Sequence, residues 1–168
     1  MHGRRQRGRT PWWRARLVRW VLVPVVLLLA FFVMAVRSGS RPLVDVLRQG
    51  NKRVLNPVML RLAGRRHWYA ARVEHVGRRS GRSYATPVVA VPLEGGFAIP
   101  LPYGTEVDWL HNVQAAGEAT VVLDGVRHRV GDPQVVPSEA ILPALPPEWA
   151  MRTRFYRFSH WLRVTEAT

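Results

Sequence analysis

The 168-residue sequence predicts a mainly β (α+β) fold. The expected form is a small, incompletely closed β-barrel with one short inserted helix, preceded by an apolar N-terminal helix and followed by a C-terminal helix. Three observations predict it. Between residues 67 and 136, short runs of apolar and polar residues are separated by glycine-bearing turns, the pattern of an antiparallel sheet. Within that stretch the apolar period changes once to a helical one, over "YGTEVDWLHNVQAAG". The first 36 residues differ in kind, with an arginine-rich start followed by an uncharged run. The chain therefore divides into a basic segment (1–19), an apolar helix (20–36), a helical approach (37–66), the barrel core (67–136) and a helical tail (137–168).

Met1 to Trp20 holds seven arginines and no acidic residue. Trp20 to Val36 then runs seventeen residues without a charge. At the helical rise this covers about 25 Å, slightly short of the hydrocarbon core of a bilayer. A core helix of a globular domain shows one polar face; this run is apolar all round. Trp12, Trp13 and Trp20 stand where an interfacial aromatic belt would lie. The reading is a single-pass transmembrane helix over 20–36. It is expected to be uncleaved, since "MAVRSGS" lacks a small-x-small cleavage site. Arg37, Arg41, Arg48, Lys52 and Arg53 follow it, so positive charge flanks both ends and does not orient it.

In the approach, Leu43, Val46 and Leu47 lie at helical spacing, and Asn56-Pro57 marks a boundary. "WYAARVEHV" alternates, with Tyr69, Ala71, Val73 and His75 on one face. "YATPVVAVPL", a turn at Glu94-Gly95-Gly96, and "FAIPLP" follow, and three strands in succession suggest a meander. Thr105 and Asp108 read as a capping box, Val107, Leu110 and Val113 as one apolar stripe, and Gly117 as the stop. Asp124-Gly125 predicts a type I′ hairpin turn between "ATVVL" and "VRHRV", and "PQVV" another strand. From Pro146-Pro147, Met151, Phe155, Phe158 and Leu162 mark the C-terminal helix.

The formal net charge is +14, and Lys52 is the only lysine. Arginine prefers planar anions, so phosphates and carboxylates are the natural partners. With no cysteine, disulfides, thiolate metal sites and a cysteine nucleophile are excluded, and redox chemistry needs an organic cofactor. GxSxG, Walker A and GxGxxG motifs are absent, and no carboxylate pair stands out. His67, His75, His111, His128 and His160 lack metal-ligand spacing, so no metal site is expected.

Two stretches remain as candidate sites. The loop "GRRSGR" sets Arg78, Arg79, Ser80 and Arg82 around Gly77 and Gly81, where backbone N–H groups can form an anion-binding nest. The alternative is a solvated hairpin tip. "LPYGTEVDWLHN" passes from a strand end into a helix N-terminus, a second place to receive an anion. There Trp109 can line a pocket or pack in the core, and Asn112 can serve a bound ring or nearby backbone.

Taken together, "VGRRSGRSYATPVVAV…GGFAIPLPYGTEVDWLHNVQAAGEATV" resembles the deazaflavin-dependent nitroreductase family, split β-barrel oxidoreductases that use coenzyme F420. The resemblance spans about residues 51–136. It rests on the loop Gly77–Arg82, on Thr86-Pro87 opening the next strand, and on the Trp109-x-x-Asn112 spacing. It implies that Arg78, Arg79, Ser80, Gly81 and Arg82 hold the cofactor's phosphodiester and polyglutamate tail. Pro100, Leu101, Pro102, Tyr103 and Gly104 would lie along the deazaflavin ring, and Trp109, Leu110, Asn112 and Val113 would complete the pocket. Family members often carry Lys and Gly-Gly at the strand end, where this chain has Pro102, Tyr103, Gly104 and Thr105. Tyr103 and Tyr156 are the candidates for a proton donor on the acceptor side.

The function implied is hydride transfer from reduced F420 to a lipophilic quinone or nitroaromatic acceptor at the membrane. Since the coenzyme is made in the cytoplasm, the barrel is expected on that face. This orientation translocates the seven N-terminal arginines, which is unfavourable, so an exported barrel is the alternative. A homodimer is possible for such barrels. Alternatives are an FMN- or haem-binding split barrel, and a non-enzymatic, membrane-anchored basic module that binds anionic lipid. No nucleic-acid partner is expected, because the arginines are not interleaved with aromatics on one strand face.

Overall fold

The computed structural model describes residues 23–38, 42 and 56–167. Helix α1 (Val23–Ser38) carries most of the uncharged run over 16 residues. Among the described residues no helix is long and apolar enough to cross a membrane. Residues 20–22 of the expected span lie outside the described residues, as do the tryptophans before it and the Leu43–Leu47 stripe. Val26, Leu27 and Leu28 on α1 are each at least 60% exposed. Near its end, the Arg37 guanidinium donates to the Phe155 carbonyl and stands 5.4 Å from the Phe155 ring centre.

After the short helix α2 (Asn56–Leu62), seven strands follow: β1 (Ala71–Val76), β2 (Ser83–Val88), β3 (Val91–Leu93), β4 (Gly96–Pro100), β5 (Glu118–Leu123), β6 (Val126–Pro137) and β7 (His160–Glu166). They form one antiparallel sheet in the order β2-β1-β5-β6-β7-β4-β3. The two edge strands, β2 and β3, are consecutive in the chain and joined through Val89 and Ala90, yet they do not pair. The sheet curls toward closure and stops one ladder short, a split barrel.

This differs from the expected meander. "YATPVVAVPL" is not one strand: the chain crosses from one sheet edge to the other at Val89-Ala90. The "PQVV" strand, in turn, is the second half of the long β6. Its register slips between Gly131 and Gln134, with Asp132 at φ 49°, so one strand bends to pair with β5 first and β7 later.

The tail also differs. The helix α5 (Pro147–Tyr156) ends where Arg157 turns left-handed at φ 56°, and residues 160–166 are a strand between β6 and β4. Leu162 is therefore fully buried in the barrel, whereas Met151 and Phe155 are exposed. The helical spacing of Met151, Phe155, Phe158 and Leu162 thus joins two different elements, and pairing of β7 with β4 and β6 overrides it.

Alternation along the strands builds two cores. Ala71, Val73, Phe97, Ile99, Val121, Leu162 and Val164 point inward, where the helix α3 (Asp108–Ala116) adds Leu110 and Val113. Ala98 and Trp161 point outward, where α4 (Ser138–Ile141) and α5 cover them with Ile141 and Trp149. Strand β4 is buried on both faces. At its start only glycine fits, because a Cβ at Gly96 would lie 2.1 Å from the Val164 carbonyl oxygen.

Two local turns form as their residues predict. Asp124 and Gly125 take φ 51° and 82°, the I′ pair, and Gly117 at φ 73° stops α3 by donating its N–H to Val113. The capping box does not form: α3 begins after Val107 without a side-chain cap, and Thr105 bonds Glu106 instead.

Candidate functional site

The strand end Pro100 to Gly104 leaves the buried β4 and turns before α3, so its side chains face a gap that the barrel does not fill. A cavity of about 380 Å³ lies there. Pro100, Leu101, Pro102, Tyr103, Gly104, Val107 and Trp109 form one wall. The end of β2 and its link, Pro87, Val88 and Val89, form another, and Phe32 of α1 with Met59, Tyr69 and Ala70 complete it. Among the described residues no lining residue is charged. Such a lining suits a flat apolar ring, and the volume lies within the usual range of roughly 300–1,000 Å³ for ligand pockets. Tyr103 and Tyr69 bring the two hydroxyl groups of the described lining residues.

The arginine loop closes the other end of β2. From Arg82 to Pro87 the chain runs about 17 Å as extended strand. Gly77 donates its N–H to the Arg82 carbonyl and Gly81 to that of Gly77, at 2.9 and 2.8 Å. The Arg78 N–H goes to Asn112 Oδ1 at 3.1 Å, and that of Arg82 lies 3.4 Å from Ser80 Oγ. Four of the loop's N–H groups are thus committed within the fold, so the expected nest is largely closed. Gly77 serves packing: a Cβ there would meet Tyr84 Cε2 at 2.6 Å and Ser80 Oγ at 2.7 Å.

The three loop arginines have separate fates. Arg78 is tied down, with Nη1 at 2.9 Å from Asn112 Oδ1 and 3.3 Å from the Asp108 carbonyl, and Nη2 at 3.4 Å from Asp108 Oδ1. Arg79 and Arg82 are exposed, and among the described residues their guanidinium groups make no ion pair or hydrogen bond. They carry the charge left for a ligand.

Behind the loop, Asn112 is 8% exposed and its Nδ2 lies 3.4 Å from His75 Nδ1. His75 Nε2 lies 3.2 Å from Thr86 Oγ1, and Tyr84 stacks on the ring at 6.0 Å. Burial pushes the His75 imidazole below its ordinary range. On the opposite face of β1, Glu74 accepts from Arg127 at 3.1 and 2.5 Å and pairs with Arg72 at 2.8 Å. The hydrogen bond from Arg127 leads in holding its carboxyl below the usual range.

Of the residues singled out from sequence, the cavity gathers Pro100, Leu101, Pro102, Tyr103, Gly104 and Trp109. Leu110 and Val113 are buried in the inner core behind Trp109, and Asn112 faces the loop rather than the cavity. Tyr156 lies outside it: its ring stacks on Phe158 at 5.5 Å, and Phe158 packs on the outer core, across the sheet from Tyr103. Tyr69, Pro87, Val88, Val89, Met59 and Phe32 were missed. Only Thr86-Pro87 had a local signal; the others join the wall through the open seam and α1.

No family model and no curated protein matches the chain. Among solved structures it is similar to an F420 reductase (13% identity, TM-score 0.43, covering 64% of this chain and 91% of that one). It is also similar to an F420-H2 dependent reductase (16%, TM-score 0.38, 57% and 93%). A third is a domain-swapped dimer (18%, TM-score 0.38, 71% and 97%). At these identities and scores the likeness carries no chemistry across.

Proposed function

We propose that the protein is an F420-dependent oxidoreductase acting at the membrane on a lipophilic quinone-like or nitroaromatic acceptor. The observation that carries this reading is the pairing of two unlike sites along β2. An uncharged cavity with Tyr103 and Trp109 lies at one end, and two unengaged arginines, Arg79 and Arg82, lie at the other. A cofactor with an aromatic ring and a long anionic tail has that polarity, and the loop Gly77–Arg82 and the Trp109-x-x-Asn112 spacing resemble those of the deazaflavin family.

The residues present fit such a group. Pro100 to Gly104, Val88 and Trp109 would hold the ring, and Arg79 and Arg82 would hold the phosphodiester and carboxylates of the tail. When bound, reduced F420 supplies a hydride equivalent and reacts poorly with oxygen. The chain's own part is to orient the ring, exclude water with its apolar walls, and hold a proton at the Tyr103 hydroxyl for the reduced acceptor. Tyr69, at the cavity's exposed side, is the second proton-bearing group. Arg78 and Asn112 position the loop instead of touching the ligand.

The membrane enters through α1. Its exposed Val26–Leu28 face, the seven arginines before it, and Phe32 in the cavity wall support a single-pass anchor that delivers an apolar acceptor beside the cavity. The barrel is placed on the cytoplasmic side, where the coenzyme is made.

The test is a fluorescence titration of the full-length chain in detergent micelles with oxidised F420, beside FMN and haem. Saturable quenching by F420, weakened in the Arg79→Ala/Arg82→Ala variant, supports the reading. Absence of F420 binding, or tighter binding of FMN, ends it. Reduced F420 with quinones and nitroaromatics then identifies the acceptor class.

A further inference from the structure

We propose that His75 is a positioning residue for the arginine loop. As the neutral Nε2–H tautomer it fixes Asn112 in the orientation that anchors Arg78, and its protonation releases the loop. This deepens the reading above, since Arg79, which follows the anchored Arg78, and Arg82 are the groups assigned to the anionic tail.

The hydrogen-bond chemistry leaves one arrangement. A backbone N–H and a guanidinium are donors only, and both belong to Arg78 and point at Asn112 Oδ1, at 3.1 and 2.9 Å. The amide oxygen is thereby assigned. The amide NH2 must then face the other way, toward His75 Nδ1 at 3.4 Å. A donor there needs a bare Nδ1, so the ring proton belongs on Nε2, where Thr86 Oγ1 receives it at 3.2 Å.

Protonation places an N–H on both ring nitrogens. Nδ1–H would then oppose the Asn112 NH2, donor against donor. Turning the amide over would relieve that clash, but it would put NH2 against the two Arg78 donors. Either way the Asn112 anchor on Arg78 is weakened, by strain on the amide or by its turning over.

Among the described residues no carboxylate contacts the His75 ring to compensate an imidazolium. From β2 come Thr86 and Tyr84, and from α3 comes Asn112, behind which stands the Arg78 guanidinium, a like charge. The Asp108 carboxylate is taken by Arg78. Glu74, next in sequence, lies on the other face of the strand with Arg127 and Arg72. On the far side of β1, β5 sets Thr120, Val121 and Val122 against Glu74, Val73 and Arg72. Burial lowers the His75 titration, so the latch is closed at neutral pH and opens as pH falls below the ordinary imidazole value.

The experiment is a pH titration of the ¹⁵N-labelled full-length chain in micelles, between about pH 7.5 and 5 to span imidazole titration. His75 ring ¹⁵N shifts report the tautomer. Hydrogen exchange of the Arg78 amide, corrected for intrinsic pH dependence, reports the anchor. The expected result is the Nε2–H tautomer at neutral pH and a loss of Arg78 protection on the order of tenfold, with the midpoint of His75. In His75→Phe, which cannot titrate, the step disappears. An Nδ1–H tautomer, Arg78 protection that stays constant while His75 titrates, or a step that survives in His75→Phe overturns the proposal. F420 affinity is followed over the same range. Failure to bind at any pH defeats the functional reading, and the amide data still decide the latch.

Discussion

The two ends of β2 hold their sites by opposite means. At the cavity end the walls are shaped by the inner core: Trp109 packs beside Leu110, and Pro100 continues a strand buried on both faces. At the loop end Asn112 and Asp108 of α3 tie Arg78 down, while Arg79 and Arg82 extend into solvent. Shape recognition needs a rigid wall, and only packing makes one. Charge recognition needs guanidinium groups with no other partner, and a loop free of ion pairs at its tip keeps them so. Arg78 shows the difference within one motif, since the arginine nearest the helix is spent on structure.

Leu110→Ala should have the largest effect, because it removes a fully buried side chain behind the cavity wall. It is expected to cost about 2–5 kcal/mol in urea unfolding and to weaken ligand binding at both ends. If binding survives with that loss of stability, the wall is not what shapes the cavity.

Arg79→Ala/Arg82→Ala should lower affinity for an anionic cofactor by roughly 10–100-fold and flatten its salt dependence. The urea midpoint should not move. A parallel fall in stability would show that these arginines are structural like Arg78. Trp109→Ala sharpens the contrast from the other end. It should weaken affinity for the ring while leaving the slope of affinity against salt unchanged.

Arg78→Ala is expected to cost about 1–3 kcal/mol, since it leaves the buried Asn112 oxygen with one donor fewer. Chemical denaturation checks this. An unchanged midpoint would mean that the loop is not tied to α3 in solution.

The smallest effect lies on the opposite face of β1. The Glu74 carboxyl is held below its ordinary value, so its pairing with Arg127 and Arg72 contributes stability above about pH 4.5. That contribution falls away as pH drops through the folded-state value. Because the pair is near the surface, about 1 kcal/mol or less is expected. Unfolding midpoints of wild type and Glu74→Gln should converge as pH falls, and parallel curves would refute it.

Much of the fold was legible where the signal is local. The alternation of Ala71, Val73 and His75, the Asp124-Gly125 turn, and the stripe Val107, Leu110 and Val113 ending at Gly117 all depend on residues within one turn or one strand. The strand end Pro100–Gly104 and Trp109 were also legible as a candidate site, because a strand running into a helix leaves its own mark in the sequence. The roles of Arg78 and Asn112 were not, since their bond joins residues 34 apart. Tyr156 looked equivalent to Tyr103 until the sheet separated them.

The sequence by itself determined the alternation of β1, the Asp124-Gly125 turn, the apolar stripe of α3 with its stop at Gly117 and the surplus of arginine, because periodicity, φ preference and charge are properties of neighbouring residues. Tertiary structure alone decided that β7 is a strand, that β2 and β3 stand at opposite edges of an unclosed sheet, and which arginines remain unengaged. Those outcomes depend on which distant partner wins each hydrogen bond, and no local stretch of sequence contains that competition.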